Sequence, residues 1–320
     1  MTYLHLHFLT LLSTGTYTAY NQMRTSFPRS ILVVAGLTAG LAGLGVSPAA
    51  QEAREATMFV SAVDEDGAPV EGLGPDAFII RADGARREVL RVSRATEPID
   101  VAILVDNSTA AREAITHLRS ALPEFVMRLA SSNPVALIGL AERPTIIVDY
   151  TSDLEALSEA ASSLFAQPNS GMTLLDAVAE TSQGLEQRES ARAAIIAIVT
   201  EGPEFTNRYS RDVVARLREV KAALYVVGIG RFAYSDAHET RERLFLIDDG
   251  TRETGGQRIT MFTPNGIESA LQKLAAELTS QYRVVYASPD SLIRADRVDV
   301  SSARDGVTMR GTPARGAPGA

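Results

Sequence analysis

The segment Asp106-Asn107-Ser108-Thr109-Ala110 places a carboxylate and a hydroxyl two residues apart, directly after the apolar run Ile99–Val105. A strand reading of that run puts the loop at the carboxyl end of a strand, where open α/β sheets bind their ligands. Mg²⁺ requires several hard oxygens in near-octahedral array. One carboxylate with neutral hydroxyls leaves such an ion electrophilic enough to take a further carboxylate from a partner. The alternative is local: Asp106, Ser108 and Thr109 carry short oxygens that cap a following helix by accepting from its free N–H groups. Two other segments offer oxygens of the same kind. Thr173, in Asn169-Ser170-Gly171-Met172-Thr173, precedes an amphipathic run, and the apolar run Ala193–Thr200 ends in Glu201-Gly202. Their bland readings are a helix N-cap for Thr173 and a solvated loop charge for Glu201.

In order and spacing these segments resemble the von Willebrand factor type A (VWFA) domain, whose metal-ion-dependent adhesion site reads Asp-x-Ser-x-Ser, then a lone Thr, then Asp-Gly after the fourth strand. The resemblance covers most of residues 98–288. Upstream, Phe59 to Leu73 and Asp76-Ala77-Phe78 through Asp83-Gly84 look like the prefix of bacterial VWFA-related proteins of acidobacterial type. Downstream, Leu278-Thr279-Ser280-Gln281-Tyr282-Arg283-Val284-Val285-Tyr286 is similar to the segment that closes those domains. The resemblance implies a protein that binds another protein at the carboxyl edge of its sheet. It also implies Mg²⁺ or Mn²⁺ with Ser108 and Thr173 as direct ligands, Asp106 and Glu201 holding its waters, and a partner that offers a carboxylate. Two positions depart from the pattern: Ala110 stands where the third loop oxygen would sit, and Glu201, longer by one methylene, stands in place of the Asp. The expected metal site is therefore degenerate, with water replacing a hydroxyl at a loss of affinity. A structural or assembly module with a non-functional metal site is the alternative.

The elements that must position these residues follow from hydrophobic patterning. Strand-length apolar runs recur at Val101–Val105, Val135–Leu140, Ile146–Val148, Ala193–Val199, Ala223–Ile229 and Arg258–Phe262, most of them alternating with helical patterns. This predicts an α/β fold, a doubly wound, mostly parallel sheet with helices on both faces. Only Ala141-Glu142-Arg143-Pro144 separates the second run from the third, too short for a crossover helix, so one edge strand is antiparallel. Apolar residues step by three and four at Ile115, Leu118, Leu122, Val126 and Leu129, and again at Ile267, Leu271, Leu274 and Leu278. Pro123 is expected to kink or split the first of these helices. Ser152-Asp153-Leu154-Glu155 reads as a capping box. Residues 55–97 read as a small antiparallel β module, with Asp66-Gly67 and Asp83-Gly84 at its turns. The domain expected over 98–288 is followed by a closing strand within 289–302, which is expected to return to the β module, and by a disordered tail over 303–320, rich in Gly, Ala, Pro and Arg.

Composition excludes several functions. The chain has 320 residues, 45% of them hydrophobic, and a net charge of −8, so no broad basic surface exists to neutralise nucleic-acid phosphates. With no cysteine it has neither disulfides nor thiolate chemistry. Residues 1–50 read as a signal peptide: Arg24 and Arg29 lead an apolar stretch from Ile31 to Val46, Ser47-Pro48-Ala49-Ala50 offers small residues for cleavage, and the start before Met23 is read as over-extended. The expected location is periplasmic or secreted, with no membrane span after cleavage. Past that leader only His117 and His238 remain, and no Gly-x-Ser-x-Gly elbow or His-Glu-x-x-His helix occurs. Asp106 and Glu201 as an acid–base pair is the weaker, hydrolytic alternative to a non-enzymatic module.

Overall fold

The computed structural model describes residues 54–188, 190–232, 236–288 and 295–315; the expected signal peptide lies outside them. The strands that precede the main sheet are β1 (Arg54–Val63), β2 (Phe78–Ala82), β3 (Ala85–Arg87) and β4 (Val89–Arg94). The main sheet takes β5 (Ile99–Val105), β6 (Val135–Gly139), β7 (Thr145–Thr151), β8 (Arg192–Thr200), β9 (Ala222–Ile229) and β10 (Arg258–Met261). Its helices are α1 (Arg112–Ala130), α2 (Leu154–Ser162), α3 (Leu174–Glu186), α4 (Ser210–Glu219), α5 (His238–Phe245), α6 (Thr251–Thr254) and α7 (Ile267–Thr279). The chain closes with β11 (Tyr282–Ser288), β12 (Val298–Ser302) and β13 (Thr308–Pro313). Among the described residues no helix is long and apolar enough to cross a membrane.

The main sheet has the order β10-β9-β8-β5-β6-β7, parallel throughout except for the antiparallel edge pair β6–β7. Alternation along β5 explains the two cores. Val101, Ile103 and Val105 pack with the apolar stripes of α1, α2 and α7, whereas Ala102 and Leu104 pack with α3 and α4 on the other face. A strand buried on both faces cannot alternate apolar with polar, and β5 does not. Two local expectations are corrected. Helix α1 runs unbroken through Pro123, and α2 is capped by Asp153, which accepts from the N–H groups of Glu155 and Ala156, rather than by Ser152.

The amino-terminal strands are completed by the end of the chain. One sheet has the order β13-β1-β11-β4, and a second pairs β12, β2 and β3. The β2–β3 turn has Asp83 and Gly84 both at positive φ, as a two-residue hairpin that follows strand twist requires. The tail expected to be disordered over 303–320 instead carries β13, which pairs antiparallel with β1 from Met58↔Pro313 to Val63↔Thr308. Composition misled there because Val307 and Met309 supply apolar contacts on a ready-made edge. This assembly meets the main sheet at its amino edge. Arg192, the first residue of β8, donates to Gln281 Oε1 at 2.6 Å and lies 4.9 Å from the Phe59 ring centre. The opposite, carboxyl edge is left to the loops.

Candidate functional site

Three loops converge at that carboxyl edge. Asn107, just past β5, accepts at its side-chain oxygen from the N–H groups of Leu140 and Ala141, both at 3.0 Å, which fixes the first loop against the end of β6. Thr109 Oγ1 donates to the carbonyl of Gln167 and accepts from Ser170 N–H, each at 3.0 Å, tying the first loop to the second. The second loop joins the third: Met172 N–H donates to Pro203 O at 2.9 Å, and Phe205 N–H donates to Met172 O at 2.8 Å. The four oxygen-bearing residues singled out by the sequence stand on these loops, but their side chains are differently engaged.

Asp106 is fully buried. Its Oδ1 accepts from Ser108 N–H at 2.9 Å, and its Oδ2 accepts from both the N–H and the hydroxyl of Thr200. Thr173 Oγ1 donates to Leu140 O at 2.9 Å and caps no helix N–H, although the residue occupies the N-cap position of α3. Ser108 is also fully buried, and its Oγ has no hydrogen-bond partner among the described residues. Glu201 is exposed and turned toward the loop that follows β9, where its Oε2 accepts from Arg231 N–H at 2.5 Å. The methyl of Ala110 packs on Gly202 so closely that a methyl there would collide with it, and Ser108 Oγ lies 3.8 Å from the same point.

Two charged residues with no place in the expected motif complete the site. Arg243 of α5 is buried, and its Nη1 donates to the carbonyl of Gly202. Burial pulls its pKa down, while the negative charges of Glu204, Asp106 and Glu201 push it back up. Glu204, 3% exposed, accepts Leu175 N–H at 3.2 Å in the first turn of α3. Its second oxygen has no partner, and burial raises its pKa to about 8. Neither residue carries a motif signal. The available clue for Arg243 was positional: it lies three and four residues before Leu246 and Ile247, both buried, so it heads an apolar stripe rather than a solvated face.

A hard divalent cation needs oxygens that are free and convergent. Ser108 Oγ is one such oxygen. Against it, Asp106 has both oxygens engaged by the protein, Glu201 is drawn away to Arg231, Ala110 offers a methyl, and a guanidinium stands at the Gly202 carbonyl. Among the described residues no group of three acidic or histidine side chains converges to hold a metal ion. The donor set does not fit Mg²⁺ or Mn²⁺.

Solved structures with related backbones include BatB, a conserved hypothetical protein from Bacteroides thetaiotaomicron, at 17% identity and TM-score 0.45 over 57% of this chain and 100% of that one. The vWF domain of the type V pili tip protein Mfa5 from Porphyromonas gingivalis is 11% identical, with TM-score 0.43 over 57% and 96% of the two chains. A von Willebrand factor type A protein from Catenulispora acidiphila is 12% identical, with TM-score 0.48 over 82% and 74%. No curated protein matches the sequence. Residues 100–254 match the family model of the von Willebrand factor type A domain, and it is this part of the chain, just under half of its length, that is similar to that family.

Proposed function

We propose that this protein is an exported, non-enzymatic module that binds another protein at the carboxyl edge of its main sheet, through side chains on the loops. The observation that carries this reading is where the exposed aromatics lie. Phe262 follows β10 and is 76% exposed; Phe205 follows β8 and is 57% exposed; Phe165 and Tyr209 are exposed on the neighbouring loops of the same edge. Large aromatics on a rigid rim supply contact area at small entropic cost and dominate protein interfaces. They are also held in place: the Phe205 ring lies against Gly171, where a methyl would collide with it, and Arg231 lies 5.9 Å from the Phe262 ring centre. Type A domains generally mediate protein–protein contacts, and the closing sheets cover the amino edge only. Export rests on the leader read over residues 1–50. The non-enzymatic reading is supported by Asp106, which is fully buried with both oxygens hydrogen-bonded and so has no access to a substrate proton.

The test is site-specific photocrosslinking in cell-envelope extract, with the photoreactive residue at position 205 or 262 and, as control, at Met127 on the outer face of α1. Adducts to one partner at the two edge positions, lost from a Phe205→Ala/Phe262→Ala protein whose affinity falls about thirtyfold, are expected. Crosslinking as strong at Met127 would move the contact to a flat face and favour a structural assembly role.

A further inference from the structure

We propose that Arg243 is the resident cation of this site: its guanidinium supplies, as part of the chain, the positive charge that the family's motif takes from a divalent ion. Asp106 is a fully buried carboxylate at the convergence of three loops; hydrogen bonds from Ser108 and Thr200 hold it, and its negative charge together with those of Glu204 and Glu201 acts on the Arg243 guanidinium. Arg243 is 3% exposed and reaches the same point from a fourth element, α5, by donating to the carbonyl of Gly202. A methyl added at Gly202 would collide with the Ala110 methyl and lie 3.8 Å from Ser108 Oγ, so the residue that accepts from the guanidinium also faces the position where the motif's third hydroxyl is missing. The other side of the guanidinium is covered by Phe232, whose ring centre lies 5.6 Å from the guanidinium carbon. The alanine that replaces the hydroxyl and the arginine thus meet the same glycine. A second cation of charge +2 beside a buried guanidinium is repelled at short range in a medium that screens weakly.

This deepens the docking reading by setting its chemistry. A covered guanidinium cannot reach a partner's carboxylate, so the buried charges brace the three loops and contact is left to the aromatic rim. The experiment is done on the purified full chain without any partner, and so its outcome is separate from that of docking. Wild type, R243Q, R243K, D106N and D106N/R243Q are melted and titrated with Mg²⁺ and with Mn²⁺ after chelator treatment. Wild type is expected to show no saturable heat and no shift in Tm with either ion. R243Q is expected to melt several degrees lower and R243K to recover part of the loss. The double variant is expected to lose less than the two single losses together, by roughly tenfold in the unfolding constant. If R243Q fails to fold, a D106N/R243Q protein that does fold shows the same coupling. Saturable binding of either ion by wild type, or additive losses in the cycle, would overturn the proposal.

Discussion

A carboxyl group buried at a helix start is caught between two effects, and Glu204 shows which prevails. The Leu175 N–H and the Arg243 charge favour its ionised form, but loss of solvent on nearly every side outweighs both, and the group is pushed from the ordinary 4.5 up to about 8. An acid whose pKa rises on folding favours the protonated folded state. Its stabilising contribution is therefore complete below about pH 4.5 and declines as pH rises toward 8, by about 1.4 kcal/mol for each pH unit between. Glu204→Gln keeps the neutral shape and removes the titration, so its Tm is expected to vary much less than wild type over that window. Parallel pH–Tm curves for the two proteins would refute the assignment. Neither Glu204 nor Arg243 was legible as a site residue. Asp106, Ser108 and Thr173 announce themselves by spacing along one chain segment or one motif, whereas Arg243 belongs to a helix reading His-Glu-Thr-Arg-Glu-Arg, which looks solvated until the place of α5 is known. What the spacing could not convey was engagement: the same Asp106 oxygens that read as metal-binding are occupied by Ser108 and Thr200.

Elements were more legible than single side chains, because burial on a strand or a helix stripe is written many times over. Six apolar runs gave all six strands of the main sheet, and the four-residue connector gave the antiparallel edge. Helix α1 is where local chemistry and packing disagree. Pro123 removes an N–H from the ladder and crowds the carbonyl one turn earlier, yet Leu118, Leu122, Val126 and Leu129 are fully buried on either side of it, and this continuous stripe holds the helix together. The penalty is tolerated rather than absent. Replacing Pro123, which is only half-buried, by alanine restores the missing donor and is expected to stabilise the protein by about 1–3 kcal/mol in urea unfolding. An unchanged or lower midpoint would mean that contacts of the proline ring outweigh its backbone cost.

On the scale of the whole molecule, the end of the chain closes a structure that its beginning opens. β13 lies along β1, and Arg310 within it donates to Glu277 Oε2 at 2.8 Å, beside Gln257 Nε2, which donates to the same oxygen at 2.7 Å. Glu277 belongs to α7 and is 3% exposed, so a strand from the last residues of the chain neutralises a charge buried against the main sheet. Met309, set opposite Ala62 on β1, also joins Met58 and Val60 in the core formed with β2 and β11. The described residues form one compact unit, which implies that the closing sheets and the domain built on the main sheet unfold together. Cutting the chain after Ser302 leaves Glu277 without its cation and opens the edge of β1, an expected loss of about 3–5 kcal/mol that lowers the single unfolding midpoint of the whole protein. Arg310→Met isolates the electrostatic part: it keeps β13 in place and is expected to account for most of that loss, because one partner of a buried pair is removed while the other stays. Chemical denaturation followed both by near-UV tyrosine signal and by backbone circular dichroism reads this directly. Two separate transitions in the truncated protein, with the helical one at its wild-type midpoint, would show that the closing strands stabilise only themselves and that the carboxyl-edge loops are held without them.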